Sequence, residues 1–199
     1  GATSLGGAIV DYGTFDWSTH PRLKKVTPQA PFSAFMFKIK REIARNFGAN
    51  MDPDTAYLQA LGLETLALRY EKVSDSAYQL AQFLETLPTI TKVSYTKLDS
   101  SPYKKLSDEL FSGNPGAMLT FNLKDQAACF DFMDKLKLIK RATNLFDNHS
   151  LIIHPASTIY GTFTQEMRDV MGIEDTLIRF SVGLEDLEDI KADILQALN

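Results

Sequence analysis

From Pro53 to Leu87 the chain runs 35 residues in helix-prone composition, with one glycine, Gly62, and no proline after Pro53. Asp52-Pro53 is a good helix entry: an Asp side chain accepts an orphan N–H, and proline suits the first helical position. Pro88 cannot continue a helix and closes the run. A single helix of this length spans roughly 50 Å at about 1.5 Å per residue, longer than a small domain is wide. The run therefore predicts a connecting helix that lies against a bigger body or a second domain. With 199 residues, 44% hydrophobic and one cysteine, the chain is neither a disordered tail nor a disulfide-stapled miniprotein.

After Pro88 the periodicity changes. Ile90 to Tyr95 alternates as a strand, Tyr103 to Phe111 reads as a helix, and Gly113-Asn-Pro-Gly116 is a turn. Ala117 to Leu123 (strand), Gln126 to Leu136 (helix), Leu138 to Thr143 (strand) and Leu151 to His154 (strand) follow. Thr164 to Met171 is a helix closed by Gly172, Leu177 to Val182 a strand, and Leu187 to Leu198 the last helix. Short strands alternating with helices predict a two-layer α+β domain, sheet on one side and helices on the other. The boundary is expected near residues 88–95, giving domains of 1–90 and 91–199. Before the long helix, Gly6 to Asp11 reads as a buried strand. Residues 14–34 form a proline-broken loop of the length that is usually functional or disordered. Phe35, Ile39, Ile43 and Phe47 mark an amphipathic helix ending at Gly48.

Charge narrows the function. The 21 basic and 25 acidic residues leave a formal net charge of −4, and Asp175 to Asn199 alone carries six acids against two bases. That excess is expected on a solvated face of the closing helix. No basic face emerges, which disfavours nucleic acid as a partner. No run of apolar residues is long enough to span a membrane as a helix. His20, His149 and His154 are too scattered for a metal site. Cys129 lies on an apolar helical stripe and is expected to be a buried, inert thiol; a lone cysteine favours a reducing, cytoplasmic compartment.

Two segments stand out. In Asn144 to Thr158 polar residues bracket a strand that ends in His154-Pro155. In Thr176 to Gly183 an apolar strand contains Arg179. Alternation puts Leu177, Arg179 and Ser181 on one face and Ile178, Phe180 and Val182 on the other. The residues leave two roles open for Arg179: a structural ion pair, or a clamp on a ligand carboxylate, which a guanidinium fork fits well.

The ordered set Gly62-Leu-Glu-Thr-Leu-Ala-Leu-Arg69, Val93-x-Tyr95, Ser101-Pro102, Asn144-Leu-Phe-Asp147, Ser150-Leu-Ile-Ile-His-Pro-Ala-Ser157 and Leu177-Ile-Arg-Phe-Ser-Val-Gly-Leu-Glu185 resembles the C-terminal half of the Cys/Met-metabolism pyridoxal-phosphate enzymes, the cystathionine γ-synthase-like group of fold type I. The resemblance implies an α/β fold: the end of a large cofactor domain, a connecting helix and a small α+β domain. It implies pyridoxal 5'-phosphate as cofactor, an amino acid as substrate, and a homotetramer. Gly1 to Asp11 resembles the segment after the family's Schiff-base lysine, so that lysine would lie before Gly1. No catalytic residue is expected in this chain, and the chain alone is expected to be inactive. Ser94-Tyr-Thr-Lys97 matches the lysine's local pattern by letters only, since no glycine-rich loop follows it.

By the same resemblance Arg179 binds the substrate α-carboxylate with Asn144 beside it, and Ser157 and Thr158, on the following strand-end loop, complete the substrate-binding set. Phe146 stands where the family usually has glycine, and Ile159-Tyr160 where many members have Thr-His. Asn144, the loop Thr14-Phe-Asp-Trp17 and the Phe35 to Phe47 helix look most like O-acetylhomoserine sulfhydrylases. The implied reaction, part of methionine biosynthesis, is γ-replacement: acetate leaves O-acetylhomoserine, and sulfide or a thiol adds to give homocysteine or methionine. The alternatives are a methionine or cystathionine γ-lyase and a non-catalytic amino-acid-binding α+β module.

Overall fold

A computed structural model describes residues 3–25 and 33–199. They form an α/β structure with a mixed five-stranded sheet and seven helices among the described residues. Two compact units divide between Leu63 and Glu64. The expected boundary at 88–95 falls inside the second unit, because the helix before it packs on that unit's sheet.

In the first unit, Gly6 to Asp11 is not a strand. It has no regular structure, and Ile9 and Val10 are exposed. A strand needs a neighbour to pair with, and none among the described residues adjoins this segment. Asp16 caps the turn Trp17–Thr19 through its bond from Ser18 N–H at 3.0 Å, and Phe15, Trp17 and Phe35 cluster with centroids 4.6 and 4.8 Å apart. Pro28 and Pro31 of the predicted loop lie outside the described residues. Helix α1 runs through Ala34–Lys38, a π-helical stretch Ile39–Ala44 and Arg45–Phe47, and ends at Gly48 with φ +63°. Helix α2, Pro53–Leu63, opens as expected, with Asp52 Oδ1 accepting from Thr55 N–H at 2.9 Å.

The predicted single long helix is two. Glu64-Thr65 interrupts it and α3 restarts at Leu66–Glu85, with Thr65 as N-cap at φ −109°. The break follows Gly62 and falls on a β-branched residue. Both are weaker helix formers than the Leu, Ala and Glu around them.

The second unit is the predicted two-layer domain. Strands β1 (Lys92–Ser94), β2 (Met118–Asn122), β3 (Lys140–Arg141), β4 (Leu151–Ile153) and β5 (Leu177–Ser181) lie in the order β1-β2-β5-β4-β3. All pairs are antiparallel except β3 with β4. Helices α4 (Lys104–Phe111), α5 (Gln126–Lys135), α6 (Gln165–Val170) and α7 (Leu187–Leu198) complete the unit. Ala77, Leu80, Ala81 and Leu84 of α3, Phe132 of α5 and Ile190 and Ile194 of α7 pack against Phe121, Ile152, Ile178 and Phe180 of the sheet. Each such side chain contributes about 1.5–3 kcal/mol on burial. Arg179 is on the opposite face, in register with Thr120 of β2 and Ile153 of β4.

The parallel pairing forces a crossover. The chain leaves β3 at Arg141 and must return to the start of β4 at Leu151. It does so over the face of β5 that carries Arg179, as the bonds from Arg179 to Thr143 and from Phe146 to Ser181 show. Asp193 of α7 anchors the approach to β3, accepting N–H bonds from Lys137, Leu138 and Ile139, each at 2.9 Å. This carboxylate is 6% exposed, so the acidic excess does not all face solvent. Among the described residues no helix is long and apolar enough to cross a membrane.

Candidate functional site

Arg179 is half-buried, and its Nη2 donates to the Thr143 carbonyl at 2.8 Å. Burial lowers its affinity for a proton, and the nearby Tyr160 acts in the opposite direction. A guanidinium stays charged under such perturbation. Among the described residues no carboxylate pairs with it. Of the two roles the sequence left open, the ion pair finds no acid for Arg179 among the described residues, and a guanidinium has further N–H donors beyond the one given to Thr143.

Asn144 follows directly on Thr143, so the chain brings it next to the guanidinium. Its exposed side chain bonds the Asp147 carboxylate, whose burial opposes ionisation while bonds from His149, Asn144 and Asn148 outweigh it and hold the acid below its usual range. Phe146 N–H donates to Ser181 Oγ at 2.9 Å, two residues along β5 from Arg179 and on the same face.

Ser157 and Thr158 are placed differently. Both are exposed, in and after the 3-10 turn Pro155–Ser157, and their hydroxyls turn back on His154. Thr158 Oγ1 donates to the His154 carbonyl at 2.7 Å, and Ser157 Oγ lies 2.8 Å from His154 Nδ1. His154 is buried, with Nε2 2.7 Å from the Asp175 carbonyl and the ring edge-on to Phe130. A carbonyl only accepts, so Nε2 carries the proton and Nδ1 accepts from Ser157. The two hydroxyls thus form the turn, and no hydrogen bond joins either to Arg179 among the described residues. The residue of this turn that Arg179 feels is Tyr160, whose N–H donates to the Pro155 carbonyl at 3.0 Å. Sequence reasoning missed Tyr160, Thr143 and Ser181 as parts of the site. The signals present were that Ile159-Tyr160 departs from the family pattern and that alternation puts Ser181 on the face of Arg179.

Lys97 sits 4.7 Å from the centre of the Tyr78 ring, a cation–π contact. Tyr95 before it is buried, its hydroxyl within reach of the Gly116 carbonyl at 2.8 Å and the Ser74 carbonyl at 3.2 Å. Ser94 to Lys97 therefore latches β1 onto α3. Cys129 is buried, its Sγ 3.3 Å from the Thr176 carbonyl, and burial pushes its thiol up to about 11.

Comparison with known proteins shows the family. An O-acetyl-L-homoserine sulfhydrylase of Thermus thermophilus is 35% identical over 98% of this chain and 49% of its own length. The solved structure of an O-acetylhomoserine sulfhydrylase of Wolinella succinogenes is 40% identical, with a TM-score of 0.79 over 95% of this chain and 51% of that one. A Campylobacter jejuni structure described as an O-acetylhomoserine (thiol)-lyase, which contains N'-pyridoxyl-lysine-5'-monophosphate, is 37% identical with a TM-score of 0.81, over 85% of this chain and 41% of that one. The chain thus spans about half the length of these relatives. The model of the family described as Cys/Met metabolism PLP-dependent enzyme matches residues 2–199, and the chain belongs to that family.

Proposed function

We propose that this chain is the substrate-recognition half of a pyridoxal-phosphate-dependent γ-replacement enzyme, acting on O-acetylhomoserine with sulfide or a thiol to give homocysteine or methionine. The observation that carries the reading is Arg179: a half-buried guanidinium, with no carboxylate partner among the described residues, on the sheet face opposite the core and beside Asn144. The names and identities of the relatives support the reaction class.

Arg179 receives the α-carboxylate of the amino acid through a charge-assisted fork. The Asn144 amide beside it supplies a further polar contact. Fixing the substrate at this end sets the orientation of its Cα–H, a contribution that comes from lost rotational freedom rather than from chemistry. Ser157, Thr158 and Tyr160 shape the adjoining turn. The residues described here fit the substrate, and none of them is assigned to the cofactor: Lys97 rests on Tyr78. Pyridoxal phosphate, when bound, serves as the electron sink for carbanion chemistry. In this reading residues 1–90 complete the large cofactor domain and 91–199 form the small domain of a cytoplasmic homotetramer, and sedimentation of the full-length enzyme tests the assembly.

The test of the site is Arg179→Leu in the full-length enzyme. The expected loss in kcat/KM corresponds to about 2–5 kcal/mol, the cost of truncating one side of a desolvated charge pair. Near-normal turnover would refute the assignment. Acetate release that continues at full rate without an added sulfur nucleophile would refute γ-replacement and favour a lyase.

A further inference from the structure

Among the described residues two non-glycine residues have positive φ, Ser112 at +50° and Phe146 at +55°. Ser112 is the residue after α4, where left-handed backbone commonly ends a helix. Phe146 follows no helix, and a bulky side chain in this region is strained. Such strain persists only where the surroundings over-determine the conformation.

Around Phe146 they do. Its N–H is held by Ser181 Oγ at 2.9 Å, and its ring lies 5.5 Å from the ring of Tyr70 at 34°. Tyr70 is itself pinned, its hydroxyl donating to the Asn114 carbonyl at 2.6 Å. Three residues before Phe146, the Thr143 carbonyl takes one N–H of Arg179. Arg179 and Ser181 are consecutive residues of one face of β5, so the crossover loop is clipped to the strand at two adjacent points with Asn144 between them. An arginine side chain turns about several bonds. One N–H tied to a fixed carbonyl sets the plane of its planar fork and leaves the other donors to meet a carboxylate.

We propose that Phe146 is a positioning residue for the substrate carboxylate: braced on Tyr70, it holds the Thr143 to Phe146 loop so that the Thr143 carbonyl orients the Arg179 guanidinium. The inference rests on the reading of Arg179 given above. It makes the Phe146 ring a determinant of substrate affinity although the ring itself need not touch the substrate.

Phe146→Gly in the full-length holoenzyme is the test, because glycine accepts φ +55° without strain while removing the brace. The expected result is a KM for O-acetylhomoserine raised about tenfold with kcat within about twofold, the signature of lost uniform binding. The thermal midpoint should stay within a few degrees, and Phe146→Tyr, which keeps the ring, should keep the parent KM. Tyr70→Ala should raise KM alike, and the double variant should add little more. An unchanged KM in Phe146→Gly would overturn the proposal. So would a Phe146→Tyr variant as impaired as Phe146→Gly, or a fall in thermal midpoint and kcat together with the rise in KM. Arg179→Leu in parallel separates the two readings. If it turns over normally, the carboxylate site itself fails; if it is crippled while Phe146→Gly keeps its KM, only the positioning role fails.

Discussion

Replacing Asp193 by alanine should loosen the whole approach to the site, and the structure sets the size of the effect. The carboxylate accepts three backbone N–H bonds, from Lys137 on Oδ1 and from Leu138 and Ile139 on Oδ2, all at 2.9 Å. Hydrogen bonds to a charged group contribute about 1.5–3 kcal/mol each. Lys137 is exposed, so water recovers its N–H, but Ile139 is 3% exposed and its donor would be orphaned. The net cost is about 3–5 kcal/mol, in line with removing one partner from a buried charged contact. At about 2–4 °C per kcal/mol for a unit of this size, the thermal midpoint should drop by about 10 °C. Asp193→Asn keeps one acceptor oxygen and should cost about half as much, since both oxygens of the native residue are used. Thermal unfolding of the full-length protein gives the midpoints, and hydrogen exchange of residues 137–139 shows whether these amides lose protection. Equal midpoints in the native protein and both variants, with unchanged exchange at these amides, would refute the reasoning.

Two further outcomes follow from the same physics. Lys97→Met in the full-length enzyme should leave turnover and the cofactor's visible absorbance intact, at a stability cost of about 0.5–1 kcal/mol for the contact with Tyr78; loss of that absorbance would make Lys97 a cofactor ligand. Cys129 should resist a thiol reagent at pH 8 in the native protein and react on unfolding, followed by mass spectrometry of its peptide. Because burial raises the thiol from 9.0 to about 11, the folded state keeps a proton that the unfolded chain releases. Its contribution to stability is therefore full below pH 9 and declines as pH climbs toward 11. Rapid native-state labelling at pH 8 would contradict the burial argument.

What could be read in the sequence was local. Helical periodicity placed Tyr103 to Phe111 and Thr164 to Met171 within a residue or so of Lys104–Phe111 and Gln165–Val170, because caps and amphipathic spacing are encoded nearby. Alternation put Arg179 on the face opposite Phe180, which the core confirms. Gly6 to Asp11 failed because strand formation depends on a partner, which an apolar run does not carry within itself. The order of the sheet and the parallel pairing of β3 with β4 are long-range and left no local mark. Phe146 is the sharpest case: an aromatic residue does not itself announce left-handed backbone, the one mark being the glycine usual there in the family it resembles, and the bond to Ser181 and the contact with Tyr70 are what hold it. Ser157 and Thr158 were legible as residues of a strand-end turn, but the contact of their hydroxyls with a buried histidine three or four residues earlier was not, because the burial of His154 is set by the sheet and Phe130.

The double clip of the crossover loop restricts the kinds of change this region can absorb. Thr143 and Phe146 are three positions apart and Arg179 and Ser181 two, so the loop bridges the two clips with one residue more than the strand beneath it. A residue inserted or deleted between Thr143 and Phe146 would make one clip incompatible with the other. Surface loops ordinarily tolerate such length changes at little cost. If the proposed carboxylate site is right, altered substrate preference would come from substitution at Leu145, Asn144 or the Tyr160 turn, with the length of the segment held constant by the strand beneath it.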